Sequence, residues 1–142
     1  MGNMSGPIKI KLLKDLLRTY PDRTVDLKVL DIGGTRSTST FMKDLFPGSD
    51  LYHLNIDPHS LNEVANAIIA DGTRLPFRDE CLDMVTSFDT IEHLIHPDSL
   101  VKEVFRVLKQ GGPVRISHSQ SCRHLQQTRV SRRLCSILVS SK

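Results

Sequence analysis

Apolar residues near the start of the chain recur at Ile8, Ile10, Leu12, Leu13, Leu16 and Leu17, and Pro21 breaks the run. That near-helical spacing predicts an amphipathic helix that packs on a sheet or covers a ligand site. The pattern then changes period. Lys28-Val29-Leu30-Asp31-Ile32 is a short β-type run ending in Gly33-Gly34-Thr35, followed by a helix-compatible stretch through Phe46 that Pro47-Gly48 terminates. Leu51 to Ile56 predicts a second strand ending in Asp57-Pro58, with Ser60 or Asn62 as the cap of a short helix through Ala65. Ala67 to Ala70 predicts a third strand, closed by Asp71-Gly72, and Leu82 to Phe88 a fourth. Asp98 is the expected cap of a helix from Ser99 to Leu108, which Gly111-Gly112 ends. Val114 to Ile116, extending toward Ser119, supplies a fifth strand. Strands alternating with helical segments predict an α/β fold, a doubly wound, mostly parallel sheet with helices on both faces.

Composition narrows the class. With 39% hydrophobic and 25% charged residues, the 142-residue chain reads as one soluble globular domain. No apolar run approaches the ~20 residues of a membrane span, and the first six residues show neither a signal peptide nor a myristoylation pattern, so a cytoplasmic location is expected. Cys81, Cys122 and Cys135 share no metal-knuckle spacing and are odd in number, so they are expected to be reduced. The net charge of +3 is uneven, because residues 120–142 carry five basic groups and no acid. The expected organisation is therefore a ligand-binding domain over 1–119 and a basic tail over 120–142, with Leu134 to Val139 open to a sixth strand or to disorder.

In an open parallel sheet, ligands bind outside the carboxyl ends of the strands. Here those ends carry Asp31 and Gly33, Asp57, Asp71, and Phe88-Asp89. Gly33 and Gly34 remove side chains where backbone must approach a ligand. Asp57 lies 24 residues past Gly33, near the ~20 expected of an acid that accepts hydrogen bonds from ribose hydroxyls. Each feature alone is as readily a packing turn, but three consecutive strand ends place them together.

In this order and spacing the chain resembles class I S-adenosylmethionine-dependent methyltransferases of the small-molecule type, similar to the ubiquinone-biosynthesis O-methyltransferases. The resemblance rests on Val29-Leu30-Asp31-Ile32-Gly33-Gly34, Asn55-Ile56-Asp57, Ala70-Asp71-Gly72-Thr73-Arg74-Leu75-Pro76-Phe77, Leu82-Asp83-Met84-Val85, Ile91-Glu92-His93-Leu94 and Arg106-Val107-Leu108-Lys109-Gln110-Gly111-Gly112. It implies S-adenosyl-L-methionine as cofactor, with Asp31, Gly33, Gly34 and Thr35 beside the methionine part. Asp57 and Pro58 would face the ribose, Asp71 and Gly72 the adenine, and Phe88 would line the cofactor from the fourth strand. Thr35 and Ser37 stand where the family turn has its second and third glycines. A dinucleotide needs glycines for its pyrophosphate, so their absence weighs more against an NAD-dependent oxidoreductase than against a methyltransferase.

Methyl transfer from a sulfonium mainly requires acceptor and methyl to be held in line. His93 is the candidate general base for a hydroxyl acceptor, against a purely structural role at a helix start. On a helix, Asp89, Glu92 and His93 share one face at i, i+3 and i+4, and the resemblance associates such a run with metal. A solvated helix face is the preferred reading, and no metal is expected. The acceptor is expected to be a small molecule; the basic tail alone supports nucleic acid only weakly.

Relatives normally add a helix and an antiparallel strand pair after the fifth strand, for which the 23 residues past Ser119 are too few. An exposed sheet edge is therefore expected, open to a homodimer through that edge, to a basic arm, or to a truncated terminus, the favoured reading. The competing function is a non-catalytic S-adenosylmethionine-binding or scaffold protein.

Overall fold

The computed structural model describes residues 6–19, 26–88 and 90–117. The Leu134 to Val139 run, open between a sixth strand and disorder, and with it the basic tail, Pro21, Cys122, Cys135 and Asp89, lie outside the described residues. The elements are α1 (Gly6–Thr19), β1 (Lys28–Ile32), α2 (Arg36–Leu45), β2 (Asp50–Asn55), β3 (Ala67–Ile69), β4 (Met84–Phe88), α3 (Pro97–Val107) and β5 (Val114–Ser117). All strand pairs are parallel, in the order β3-β2-β1-β4-β5. The chain winds outward from β1 to β3 and then returns to β4 on the other side of β1. The switch point therefore lies between β1 and β4, where a ligand crevice forms in such sheets.

The alternation of the central strands assigns each face. Val29, Leu51, Met84 and Phe88 pack with Leu13 of α1 and Met42 and Phe46 near α2. Leu30, Ile32, Leu54 and Val85 pack on the opposite face against Leu100, Val101, Val104 and Val107 of α3. A strand buried on both faces must be apolar throughout. The exceptions in the strands, Asp31, His53, Thr86, Ser87 and Arg115, are therefore the residues that need an explanation.

Local chemistry sets the boundaries. Thr35 caps α2 with extended backbone (φ −137°, ψ 170°), in a capping box whose second member is Thr38. Pro97 occupies the first turn of α3, which starts ahead of the expected Ser99; Asp98 lies in that turn and is not its cap. The expected helix through Ala65 reduces to a 3-10 turn, Pro58–Leu61, capped by Asp57, not by Ser60 or Asn62. No helix among the described residues is long and apolar enough to cross a membrane.

Candidate functional site

The turn after β1 is built to sit close to something else. Gly33 has φ +75°, a left-handed conformation that disfavours any side chain, and a Cβ there would collide with Thr90 Oγ1. The amides of Gly33 and Gly34 both donate to the Leu54 carbonyl, at 2.7 and 3.0 Å. The Thr35 amide donates to Thr38 Oγ1 at 2.8 Å, and the Thr38 amide to Thr35 Oγ1 at 3.3 Å. Four amides that a phosphate-binding loop would aim at its anion are thus used internally. Thr35 needs no glycine there because its backbone is extended, which any residue adopts.

Beneath this turn runs a buried polar row across four strands. His53, Asp31, Thr86 and Arg115 stand opposite one another in register on β2, β1, β4 and β5. Asp31 and His53 are each 1% exposed. The Asp31 carboxylate accepts from Thr38 Oγ1 at 2.6 Å and from Thr86 Oγ1 at 3.2 Å, and lies 3.3 Å from His53 Nδ1. A proton on Nδ1 satisfies that contact, so the carboxylate selects the histidine tautomer. A Cβ on Gly34 would lie 3.0 Å from Asp31 Oδ2 and from His53 Cβ. Asp31 therefore holds the turn from below and is not among the residues lining the cleft above it.

That cleft, about 580 Å³ in volume, opens at the carboxyl ends of the strands. Gly33 and Thr35 form its centre. From the β2 and β3 side come Asn55, Ile56, Ser60, Asp71 and Thr73. From the β4 side come Phe88, Thr90, His93, Leu94, Ile95 and His96, together with Lys9 of α1. Ile56 and Ile95 are 72% and 89% exposed, apolar groups left bare at the cleft. Asn55 is fixed by donating through Nδ2 to the Gly34 carbonyl at 2.8 Å, and its Oδ1 accepts from the Asp57 amide at 3.0 Å.

The two strand-end acids are held ionised. Asp57 accepts from Ser60 Oγ at 2.9 Å and from the His59 amide at 3.0 Å. The Ser60 bond first, and then the amide, lower its pKa below the usual carboxylate value. Asp71 Oδ1 accepts from both the amide and the hydroxyl of Thr73 at 2.8 Å, and the amide bond leads in lowering its pKa. A carboxylate offers about four acceptor positions, so each acid retains capacity for a ligand. The loop beyond Asp71 is strapped to α3 by Arg106, which donates to the carbonyls of Leu75 and Phe77 and to Asp79 and Glu103.

Of the expected site residues, the structure gathers Gly33, Thr35, Asp71, Phe88 and His93 around one cleft. Asp57 is exposed between the lining residues Ile56 and Ser60, and Pro58 begins the adjoining 3-10 turn. Gly34 sits under the turn, and Gly72 lies against Leu100 and Ile32. Ile91–His93 is a 3-10 turn and α3 begins only at Pro97, so Glu92 and His93 do not lie on an α-helix, while Asp89 lies outside the described residues. Asn55, Ser60, Thr73, Thr90, His96 and Lys9 were not expected at the site. The Asn55-Ile56-Asp57 and Asp71-Gly72-Thr73 runs were nonetheless visible as strand ends, where polar neighbours belong to the same crevice.

Comparison with known proteins agrees with this geometry. Residues 30–116 match the family model described as a methyltransferase domain. An uncharacterized methyltransferase of Mycolicibacterium gilvum is 27% identical over 121 residues, covering 78% of this chain and 46% of that protein. The ubiquinone/menaquinone biosynthesis C-methyltransferase UbiE of Burkholderia mallei is 33% identical over 101 residues, covering 63% of this chain and 42% of that protein. The chain thus spans less than half the length of these curated relatives. Among solved structures, the YcgJ protein from Bacillus subtilis shares the fold at a TM-score of 0.61 and 22% identity, over 75% of this chain and 49% of that one.

Proposed function

The chain belongs to the class I S-adenosylmethionine-dependent methyltransferases, and from that premise we propose that its cleft binds S-adenosyl-L-methionine and directs methyl transfer to a small-molecule acceptor by in-line displacement. The observation that carries this reading is the turn at Gly33 to Thr35: its amides are used internally, while two ionised carboxylates with spare acceptor capacity stand at the neighbouring strand ends. Such a site suits a nucleoside with hydroxyls and no phosphate. A pyrophosphate would meet carboxylates where it needs donors.

When bound, S-adenosylmethionine supplies a methyl group already activated by the sulfonium charge. The residues of this chain bind, orient and keep the site dry. Asp57 accepts from the ribose hydroxyls through the positions that His59 and Ser60 leave open, beside Pro58. Asp71 and Thr73, with Gly72 behind them, address the adenine edge. Gly33, Thr35 and Phe88 border the amino-acid part, and Asp31 and Gly34 set the height of that floor from beneath. Ile56, Leu94 and Ile95 cover the cleft with apolar surface. His93, exposed at the β4 side, takes the proton from a hydroxyl acceptor.

Calorimetric titration of the folded chain with S-adenosylmethionine and with NAD tests the cofactor assignment. The expected result is binding of the first alone, weakened at least about tenfold by Asp57→Ala, the loss of a charge-assisted hydrogen bond. A folded wild type that binds no S-adenosylmethionine refutes it. Unchanged turnover in His93→Ala removes the base role while leaving cofactor binding intact.

A further inference from the structure

Asparagine is depleted from strands, where its short amide competes for backbone bonds, yet β2 ends on one. Asn55 is partly buried at the cleft, and its bonds reach three of the loops that build the site. Its Nδ2 donates to the Gly34 carbonyl at 2.8 Å, 21 residues away along the chain. Its Oδ1 accepts from the Asp57 amide at 3.0 Å, and its main-chain carbonyl accepts from the amide of Ala70, the residue before Asp71, at 3.2 Å. The Gly34 amide in turn donates to the Leu54 carbonyl at 3.0 Å. Two consecutive residues of β2 therefore hold both polar groups of one glycine. The two side-chain partners have opposite polarity, so only a short group with a donor and an acceptor bridges them; a carboxylate lacks the donor and an aliphatic side chain lacks both. Asp57 needs such a link. It is exposed, and its carboxylate bonds to Ser60 and the His59 amide run within its own loop. The Asn55 side chain joins that loop to the turn after β1.

We propose that Asn55 is a positioning residue, which ties the Asp57 loop to the turn at Gly33 and Gly34 and so fixes where the Asp57 carboxylate meets the ribose hydroxyls. This rests on the cofactor reading of the site. A carboxylate on an exposed loop keeps its direction only as well as the backbone beneath it, and a bond anchored on the neighbouring strand's turn holds that backbone before the ligand arrives. The Ala70 bond belongs to the main chain, so the Asp71 side of the cleft stays in place whatever side chain stands at position 55.

The test uses the full chain as wild type, Asn55→Ala, Asp57→Ala and the double variant, each titrated calorimetrically with 5′-methylthioadenosine, which carries the ribose. Asn55→Ala is expected to weaken binding about three- to tenfold when Asp57 is present, and to change nothing further once Asp57 is alanine. Equal losses in both backgrounds mean that Asn55 touches the ligand itself and overturn the positioning role; so does an Asn55→Ala affinity equal to wild type. Asn55→Asp is isosteric and loses only the donor to Gly34. It is expected to bind as weakly as Asn55→Ala, while exchange of the Asp57 amide with solvent in the ligand-free protein speeds up in Asn55→Ala and not in Asn55→Asp. An Asn55→Asp variant with wild-type affinity overturns the tie to the turn, and an Asp57 amide indifferent to Asn55→Ala overturns the link to its loop. A wild type that binds no 5′-methylthioadenosine overturns the cofactor reading and the role toward the ribose with it, a result distinct from binding that ignores Asn55.

Discussion

Replacing Gly33 by Ala puts the account of the turn under direct strain. The left-handed φ of +75° costs a side chain about 1–2 kcal/mol. The new Cβ also displaces Thr90 Oγ1, which bonds the Ile32 and Phe88 carbonyls at 3.2 Å each. The hydroxyl has one proton to share between these two carbonyls, and losing it leaves a part-buried acceptor unsatisfied at about 1–3 kcal/mol, so Gly33→Ala is expected to destabilise by about 2–5 kcal/mol. Thr90→Ala loses the hydroxyl bonds alone and is expected to cost about 1–3 kcal/mol. In the double variant the hydroxyl is lost only once. Urea unfolding of the four proteins should therefore give a coupling of about 1–3 kcal/mol, with the double variant more stable than the sum of the singles predicts. Strict additivity, or a Gly33→Ala cost below about 1 kcal/mol, would refute the packing of the turn against Thr90.

Three further outcomes follow from the same geometry. Asp31→Asn turns an amide donor toward a network of donors and is expected to cost about 2–4 kcal/mol in denaturant unfolding, while a near-neutral result would mean the polar row does not hold the turn. The pKa of Asp57 and Asp71 is lowered on folding, so the stability they contribute is present above the ordinary carboxylate value and lost only as pH falls through the lower folded values. Binding of 5′-methylthioadenosine should accordingly be flat from about pH 8 to pH 5 and decline only below about pH 4; a midpoint between pH 5 and 6 would contradict it. Arg106→Ala releases the Leu75 and Phe77 carbonyls and is expected to destabilise by about 2–3 kcal/mol, discounted for a guanidinium partly open to water, with faster hydrogen exchange at the Leu75 amide, which donates to Glu103 Oε2 at 2.8 Å.

What could be read from the sequence was what depends on neighbours along the chain. The β-type runs Lys28 to Ile32 and Leu82 to Phe88 read as strands from their spacing, and the acids following β2 and β3 marked the crevice because strand ends converge there. Where one local signal met a stronger one, the boundary moved: Pro97 starts α3 earlier than Asp98 suggested, and the Asp57 carboxylate outcompetes Ser60 and Asn62 as a cap. The row His53, Asp31, Thr86 and Arg115 was not legible, since only strand order brings these positions opposite one another. One signal was present even so: a histidine on the face of Leu51 in a buried strand must find a polar partner. Asp31, which the resemblance places beside the methionine part of the cofactor, is that partner. Lys9 was hidden in the same way, because helical spacing shows which residues share a side of α1 but not where that side passes the strand ends.

The central claim is that the cleft between the β2–β3 and β4 strand ends holds the cofactor, and chemical-shift mapping of the ¹⁵N-labelled chain with S-adenosylhomocysteine addresses it most directly. The account predicts saturable shifts concentrated at Gly33, Thr35, Ile56, Ser60, Asp71, Thr73 and Thr90, with the α3 residues Val101 and Val104 on the far face of the sheet unmoved. Shifts centred elsewhere on the molecule, or none at saturating ligand with a well-dispersed folded spectrum, would contradict it.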